Sequence, residues 1–362
     1  MNLATLETSD RPLVLVWELT QACELACDHC RADARPERHP EELTTAEGKA
    51  LLEGARAFGE GQLVVLSGGD PLARDDVMEL VAYGTELGLR MTITPSGRRS
   101  LTPGRIEALA DAGLKRMALS LDGATATAHD AFRGEEGSFA ETVEAAKDAS
   151  EVGIPLQVNT TVCRETVEEL PGIRELLGEL GAVMWSVFFL VPVGRGRLLE
   201  SLEPAAADAV MEWLCAVNEA EPFGLKTTEA PQYRRVALQR RGGEDPGRAR
   251  RGGIVAGDGF AFVSHTGEVF PSGFLPLSAG NVRERPVTER YRESDLFCGL
   301  RDRDRLTGKC GACPYRAICG GSRSRAYANA GDPLASDPLC PFVPEGYDGP
   351  LPRERDSPTS AD

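Results

Sequence analysis

The sequence predicts an α/β fold with a partial (β/α)6 barrel, because short β-branched runs alternate with amphipathic helical patterns through the first two thirds of the chain. Ligand-type residues stand directly after several of these runs, where such barrels place their chemistry. A chain of 362 residues also exceeds one average domain, so a second, smaller unit is expected. A doubly wound parallel sheet is the alternative architecture.

Six strand-helix units account for the predicted barrel. A strand is predicted where β-branched and other apolar residues dominate a short run, and a helix where apolar residues recur three or four positions apart. The predicted strands cover residues 13–19, 63–67, 90–94, 116–121, 155–162 and 183–191. The predicted helices cover residues 45–59, 75–88, 103–113, 138–153, 167–181 and 204–220.

The residue composition of the chain changes after the last predicted helix. Eight cationic side chains outnumber three acidic ones between Lys226 and Arg251. This segment is followed by a strand-like stretch, then by a region rich in Gly and Pro that leads into a cluster of four cysteines, and finally by a polar, Pro-rich end. We therefore predict a barrel domain over 1–225, a cationic bridging segment over 226–258, a small cysteine-stabilised domain over 259–345 and a flexible tail over 346–362.

Composition excludes several classes of function. A net charge of -16 argues against nucleic-acid binding, which depends on neutralising phosphates. The start of the chain has no signal-peptide pattern, and no apolar run is long enough to span a bilayer, so we expect a cytoplasmic protein without a membrane partner. Ten cysteines in a reducing compartment indicate metal binding or catalysis where they cluster. Cys163, Cys215 and Cys298 stand alone and are interpreted as incidental thiols.

The first cysteine cluster is the stretch CELACDHC, with thiols at Cys23, Cys27 and Cys30. Three thiolates can hold three irons of a cubane cluster and leave the fourth iron open to a small molecule. A zinc site with His29 as fourth ligand is the alternative, although the ligands are more crowded than zinc spacing usually allows. The cluster follows the first predicted strand, in a loop where a barrel has its site.

This triplet, with the aromatic His29 before its last cysteine, resembles the signature of radical S-adenosylmethionine (SAM) enzymes. The resemblance implies a TIM-like partial barrel and a [4Fe-4S] cluster whose open iron binds SAM. It further implies reductive cleavage of SAM to a 5'-deoxyadenosyl radical, which takes a hydrogen atom from the substrate. His29 would then lie near the bound nucleoside, and a reductant such as flavodoxin or ferredoxin would supply the electron.

A second match is the SGGDP segment that follows the second predicted strand. It is similar to the Gly-Gly-Glu-Pro-like segment with which the family binds the methionine amino group. Asp70 stands in place of the usual glutamate and keeps the acceptor. A simple turn is the alternative interpretation. The matched residues are Ser67, Gly68, Gly69 and Asp70.

Three weaker matches lie further along the predicted barrel. The resemblance implies that a polar pair after the fourth strand and a downstream arginine contact the carboxylate and ribose of SAM. It also implies that residues of the fifth strand and of the VPVGRG loop lie near the ribose and adenine. Cap and turn roles are the structural alternatives. These matches are Ser120, Asp122, Arg133, Asn159 and Val193.

The second cysteine cluster has the spacing C-x2-C-x5-C-x20-C, which can close another cluster. A structural four-thiolate zinc site is the alternative. The region resembles the SPASM/twitch extension of radical SAM enzymes, which holds auxiliary [4Fe-4S] clusters. Ser272, Arg285 and Arg323 stand where cysteines of another auxiliary cluster would be expected, so one auxiliary cluster is predicted. Its ligands would be Cys310, Cys313, Cys319 and Cys340.

The spacing around this second cluster looks like that of the tetrapyrrole-modifying branch, which includes enzymes of the alternative haem and d-type haem pathways. The resemblance implies an oxidoreductase or lyase that decarboxylates or trims a tetrapyrrole side chain. Arg234 and Arg235 could pair with substrate carboxylates, and a solvated surface loop is the alternative for them. A peptide maturase acting on a ribosomally made precursor is the alternative enzyme. A non-enzymatic iron-sulfur electron carrier is the remote alternative.

Overall fold

Nine strands lie within residues 7–242 and 254–352, the part of the chain that this computed structural model describes. In chain order they are β1 Val14–Thr20, β2 Leu63–Gly68, β3 Arg90–Ile93, β4 Arg116–Ser120, β5 Leu156–Val162, β6 Met184–Phe189, β7 Gly224–Thr228, β8 Phe260–Val263 and β9 Val269–Phe270. They form one sheet in the order β7-β6-β5-β4-β3-β2-β1-β8-β9. Every neighbouring pair is parallel except β8 with β9. The sheet curls into an open half-barrel, which confirms the predicted partial barrel.

Twelve α-helices follow or connect these strands within the described ranges. They are α1 Thr45–Arg56, α2 Val77–Glu86, α3 Pro103–Asp111, α4 Ala126–Arg133, α5 Ser138–Glu151, α6 Leu170–Glu179, α7 Pro204–Ala220, α8 Gln232–Arg240, α9 Val287–Glu293, α10 Asp295–Arg301, α11 Gly308–Ala312 and α12 Arg323–Ala330. A search of the same ranges finds no helix with the length and apolarity that a bilayer crossing requires.

The outer face of the sheet packs against the helices and carries the main core. Alternate residues of β1, such as Trp17, are fully buried on this face, because successive side chains of a strand point to opposite sides. Trp17 lies so close to α1 that a Cβ atom on Gly48 would be 2.5 Å from its ring. On β6, Trp185 packs at a ring distance of 6.0 Å from Trp213 of α7. The opposite face of every strand therefore looks into the barrel.

All six predicted strands are present, and the sheet has three more. β7 was not predicted because its sequence GLKTT contains a single bulky apolar residue, Leu225, and gives no apolar pattern. β8 and β9 lie within the strand-like stretch after residue 258, but β8 pairs with β1 and so extends the sheet of the barrel. The main-chain pairing of a neighbouring strand stabilises these short segments more than their own propensity.

Two strands of this sheet lie at or across the predicted domain boundaries. β7 crosses the boundary predicted at residue 225, and β8 places the start of the predicted C-terminal domain beside β1. The division into barrel, bridge and C-terminal domain therefore remains a prediction. Residues 243–253 of the predicted bridge and residues 353–362 of the predicted tail lie outside the described residues.

Candidate active site

The first cysteine loop begins directly after β1 and folds back on its own backbone. The amide of Cys23 donates to the carbonyl of Arg35 at 2.8 Å, and the amide of Cys30 donates to the carbonyl of Cys27 at 3.2 Å. The amide of Asp28 reaches the carbonyl of Phe132 in α4 at 3.4 Å. These bonds satisfy backbone groups in a segment that has no regular secondary structure, so the loop has a defined shape.

The SGGDP segment packs directly beneath this loop. The amide of Gly69 donates to the carbonyl of Thr20 at 2.8 Å, and the amide of Asp70 donates to that of Ala22 at 2.7 Å. A Cβ atom on Gly69 would lie 2.3 Å from the Ala22 carbonyl, and one on Gly68 would lie 2.3 Å from that of Thr20. Both glycines are therefore required by close backbone approach, with Ser67 beside them at the end of β2.

The carboxylate of Asp70 is bonded within the protein. One oxygen accepts from the amide of Leu72 at 3.0 Å and caps the 3-10 helix Pro71–Ala73. The other oxygen accepts from the hydroxyls of Ser96 and Ser100 at 2.7 and 2.8 Å. These contacts fix the loop, and the contact of Asp70 with the SAM amino group remains a prediction.

The VPVGRG loop after β6 supports the cysteine loop from another side. Val193 precedes the 3-10 helix Gly194–Leu198. Gly194 has a φ of 55°, and a Cβ there would lie 2.5 Å from the carbonyl oxygen of Cys30. The guanidinium of Arg195 donates to the carbonyl of Cys27 at 2.9 Å, and its amide donates to that of Cys30 at 3.0 Å. Val193 therefore lies beside the cysteine loop, and its place near the adenine of SAM remains a prediction.

The three thiols of the loop are not disulfide-bonded, and Cys27 is buried. Burial raises the pKa of the Cys23 thiol to about 12 and also raises the pKa of Cys27. The amide of Leu25 donates to the Cys23 sulfur at 3.4 Å. Thiols of this kind lose their protons when a metal binds, because the metal stabilises the thiolate.

A wall of aromatic and charged side chains faces the cysteine loop. His29 stacks on Phe132 with ring centroids 4.8 Å apart, and its Nε2 lies 3.8 Å from the Asp122 carboxylate. Burial is the main cause that lowers the pKa of His29 to about 4, so its ring is neutral near pH 7. Arg133 lies 3.4 Å from Asp122, which also accepts from the Thr161 amide at 2.7 Å. Burial opposes the ionisation of Asp122, but His29 and Arg133 outweigh it and lower its pKa.

Ser120 and Asn159 lie beside this wall as register partners on β4 and β5. Both side chains are on the face that looks into the barrel, opposite the buried Leu119 and Val158. The side-chain oxygen Oδ1 of Asn159 accepts from the side-chain amide of Gln157 at 2.8 Å. The structure thus brings the predicted SAM residues to one end of the barrel.

Cys310, Cys313, Cys319 and Cys340 line one cavity together with Gln232, Arg235 and Phe342. Burial raises the pKa of Cys319 to about 12 and that of Cys340 to about 11. Backbone amides point at two of the sulfurs: Gly321 donates to Cys319 at 3.4 Å, and Asp337 donates to Cys310 at 3.5 Å. Four thiols with amide donors form a site that can hold one cluster.

Arg234 and Arg235, predicted to bind substrate carboxylates, instead make contacts within the protein. Arg234 donates to the carbonyls of Ile318 and Ile254 at 2.8 and 2.9 Å. The guanidinium of Arg235 pairs with Asp208 at 2.6 Å and borders the cavity of the second cysteine set. Helix α8 places Arg235 at this cavity and Arg234 against the Ile318 carbonyl, so the placement does not favour the predicted substrate role.

The three positions where further cysteines would be expected have other contacts. Ser272 donates to the Glu229 carboxylate at 2.8 Å, and Arg285 is exposed. Arg323 is fully buried and donates to the carbonyls of Pro333 and Ala335, both at 2.8 Å. These side chains are bonded into the structure or exposed, and they do not converge into a third set of ligands.

One buried charged group near the cysteine loop was missed. Glu18 on β1 pairs with Arg31 at 3.0 Å and with His265 at 2.7 Å. The guanidinium of Arg31 lies 4.4 Å above the ring of Phe262 on β8. A glutamate inside the apolar run LVLVWEL was the available signal, because a strand buries such a charge only beside a partner.

Comparisons with known proteins identify the family. Residues 17–177 match the Radical SAM superfamily. The AdoMet-dependent heme synthase of Methanosarcina barkeri is 40% identical over 344 residues, which cover 93% of this chain and 98% of that protein. This chain belongs to the radical SAM superfamily. It is therefore an enzyme of SAM and [4Fe-4S] chemistry.

Other radical SAM proteins resemble this one more distantly. The PqqA peptide cyclase of Rhodopseudomonas palustris is 33% identical, over 93% of this chain and 89% of that protein. SuiB of Streptococcus suis, solved with bound S-adenosylmethionine, has a TM-score of 0.73 at 19% identity, over 92% of this chain and 78% of that one. The likeness to SuiB shows a shared fold.

The residues beside the first cysteine loop fit the groups that this superfamily uses. Three thiols without a fourth match a cluster with one open iron. In the described part of the chain, the buried Nε of Arg133 and the buried Nδ1 of His29 have no hydrogen-bond partner. Buried polar atoms without partners carry a free-energy cost that a bound polar ligand removes. SAM has a carboxylate and hydroxyls that could supply such partners.

Proposed function

We propose that this radical SAM enzyme modifies an acidic side chain of a tetrapyrrole, by decarboxylation or trimming. The observation that carries the proposal is the 40% identity to a heme synthase across nearly the whole length of both proteins. A Pre-heme d1 synthase of Dinoroseobacter shibae is 30% identical over 90% of this chain, and its name also denotes a tetrapyrrole product. The open half-barrel gives the substrate a route to the cysteine loop.

In this proposal Cys23, Cys27 and Cys30 hold the cluster that SAM binds, and together these groups supply the hydrogen-abstracting radical. His29, stacked on Phe132, presents a neutral face to the nucleoside. Arg133 and Asp122 offer opposite charges for the carboxylate and ribose of SAM. Gly69 and its neighbours keep the loop close to β1. Because a primary radical reacts with the nearest C–H bond, the barrel residues select the product by position.

The second cysteine set is proposed to hold one auxiliary [4Fe-4S] cluster. Zinc is the alternative, and its four thiolates would converge on one ion at about 2.3 Å. Within residues 7–242 and 254–352, no three His, Cys, Asp or Glu side chains are placed to hold a metal ion. A cluster would instead bind each thiolate to a different iron. Amide donors to Cys310 and Cys319 would also tune its potential.

For a propionate side chain, a cluster held by Cys310, Cys313, Cys319 and Cys340 would supply the electron acceptor that balances the reaction. One hydrogen atom leaves the carbon beside the ring, the carboxylate leaves as CO2, a vinyl double bond forms, and one electron remains for the acceptor. A flavodoxin or ferredoxin is the proposed reductant that begins the cycle. The similarity to a peptide cyclase makes a ribosomally made precursor peptide the second candidate substrate. A cytoplasmic location remains a prediction.

Anaerobic reconstitution with iron and sulfide tests the proposal. The protein should bind about eight irons and, with dithionite, convert SAM to 5'-deoxyadenosine. A carboxylate-bearing iron porphyrin should lose CO2 in the same reaction, as mass spectrometry would show. Zinc-loaded, iron-free protein without SAM cleavage would contradict the proposal, and conversion of a precursor peptide instead would redirect it.

Three variants separate the roles of the two cysteine sets. C27A should abolish SAM cleavage, because the first cluster loses a ligand. C313A should keep part of the SAM cleavage but form no product, because the electron acceptor is lost. C298A is the matched control, since Cys298 is an exposed lone thiol, and it should behave as the wild type. Equal loss of SAM cleavage in C27A and C313A would argue against separate clusters.

A further inference from the structure

The interior of the barrel is a row of polar side chains. Ser120 of β4 is in register with Asn159 of β5, which pairs with Ser186 of β6, which pairs with Lys226 of β7. The residues that alternate with them, such as Trp185, are buried against the helices. These four side chains therefore face inward at one level of the barrel.

Two inward-facing cations in this interior have no acidic partner among the residues that the structure describes. Arg116 begins β4 on the same face as Ser120, and Lys226 is central in β7. Each is half-buried, so each can be reached from the barrel interior. No carboxylate of the described residues forms an ion pair with either cation, and Arg116 donates only to the Gln157 side-chain oxygen, at 3.4 Å.

Lys226 has no compensating carboxylate among the described residues. Burial is the larger cause that lowers the pKa of Lys226 to about 8, and the positive charge of Arg116 lowers it further. A buried cation is unfavourable unless an opposite charge or strong acceptors surround it. An anion bound between the two residues would supply both.

Strand register and chain position relate Lys226 to both cysteine sites. Its register row contains Ser120 and Asn159 of the predicted SAM site. Three residues beyond it, the Glu229 carboxylate accepts from Ser322 at 2.5 Å and from Ser324 at 2.9 Å, in the segment that follows Cys319. A ligand held at Lys226 would therefore lie in the barrel interior, at the level of Ser120 and Asn159.

We propose that Arg116 and Lys226 form the site that binds a carboxylate of the tetrapyrrole substrate inside the barrel. The inference rests on the proposed function and adds the residues that recognise the acidic side chain. Lys226 is the first cation of the predicted bridging segment and faces the barrel from β7, whereas Arg234 and Arg235 lie on α8 and make contacts within the protein. Lysine and arginine donors make charge-assisted hydrogen bonds to carboxylates, which are stronger than neutral ones.

Kinetics of the reconstituted holoenzyme with a carboxylate-bearing iron porphyrin test the site. K226M and R116Q should each raise the KM for the porphyrin by about tenfold to a hundredfold, the usual effect of losing one charge-assisted bond. The KM for SAM and the SAM cleavage without porphyrin should stay unchanged. K226R keeps the charge and should recover part of the affinity. K115M removes an exposed lysine beside Arg116 and is the matched control, with wild-type kinetics expected.

A second measurement identifies the group that binds. The affinities of wild type and K226M are compared for the porphyrin and for its methyl ester, by titration of the porphyrin absorbance. The ester should bind the wild type more weakly, and K226M should cause no further loss, because both changes remove the same contact.

Each contrary outcome has its own meaning. A raised KM for SAM in K226M would assign the cations to the carboxylate of SAM and overturn the proposal. Unchanged porphyrin affinity in both variants would overturn it as well, and equal losses in K115M would reduce it to general attraction. Wild-type protein that binds no porphyrin would refute the proposed function itself.

Discussion

His129 of α4 is a buried residue whose charge is set by its surroundings. It is fully buried, its Nδ1 accepts from the Asp122 amide at 3.2 Å, and its Nε2 has no partner among the described residues. Burial is the main cause that lowers its pKa to about 4, and the charge of Arg133 adds to the effect. His129 is thus held neutral, as an acceptor, and it fixes the backbone of Asp122 at the predicted SAM site.

Acid should destabilise the protein through His129. Its folded pKa of about 4 lies below the ordinary value of 6.5, so the unfolded chain takes up a proton first as the pH falls. The stabilisation is complete above pH 6.5 and is lost progressively toward pH 4. Between pH 7.5 and 5.5 the loss should be about 1 kcal/mol. Thermal midpoints of the holoenzyme across this pH range measure it.

The variant H129N provides the control, because an asparagine oxygen can accept from the Asp122 amide without titrating. Its midpoint should fall less steeply between pH 7.5 and 5.5 than that of the wild type. Parallel slopes would show that His129 does not contribute to the acid sensitivity.

Single residues also show where sequence reasoning succeeds and fails. The cysteines and the glycines of SGGDP could be identified because spacing and covalent chemistry restrict them, and the structure places them together. The sequence could not show whether Arg234 and Arg235 or Lys226 would face the substrate, because a run of cations does not indicate where each side chain points. Strand register and the packing of α8 decide which cation faces the barrel, and both depend on contacts distant in sequence.

At the scale of elements, the loops after the strands determine the shape of the cysteine loop. Gly194, in the loop after β6, makes one of these close contacts, with its left-handed φ of 55° and its approach to the Cys30 carbonyl. The alternation of predicted strands and helices places this loop after the sixth strand. How closely the Gly194 backbone approaches the cysteine loop, however, depends on how β6 and β1 curl toward each other. Strand β7 was not predicted for the same reason: the segment GLKTT forms a strand because it pairs with β6, a contact distant in sequence.

Substituting G194A should therefore disturb the first cluster specifically. A left-handed alanine costs about 1–2 kcal/mol, and its Cβ would also collide with the Cys30 carbonyl. We expect SAM cleavage to fall at least tenfold and the electron paramagnetic resonance signal of the SAM-binding cluster to change, while the auxiliary cluster stays loaded. G178A is the control, because nothing lies within 4 Å of a Cβ at that position of α6. Unaltered cleavage in G194A would contradict the tight approach.

At the scale of the whole molecule, one buried ion pair joins the barrel to the second cysteine set. Arg325 of α12 pairs with Asp337 at 3.1 Å and donates to the carbonyls of Leu190 and Glu229, which follow β6 and β7, at 3.1 and 2.8 Å. The amide of Asp337 in turn contacts the Cys310 sulfur. A disturbance at the pair is thus transmitted both to the barrel ends and to the proposed auxiliary cluster.

Removing the arginine should weaken this connection more than removing an exposed one. R325M leaves Asp337 buried without its cation, a change that usually costs about 3–5 kcal/mol. The thermal midpoint should fall, and the iron content should drop from about eight toward about four as the auxiliary cluster is lost first. The double variant R325M/D337N should recover part of the midpoint, because it removes the uncompensated charge. R164M, at an exposed ion pair with Glu200, should change the midpoint little. If R325M kept its iron and its midpoint, the barrel and the second cysteine set would be stabilised independently of each other.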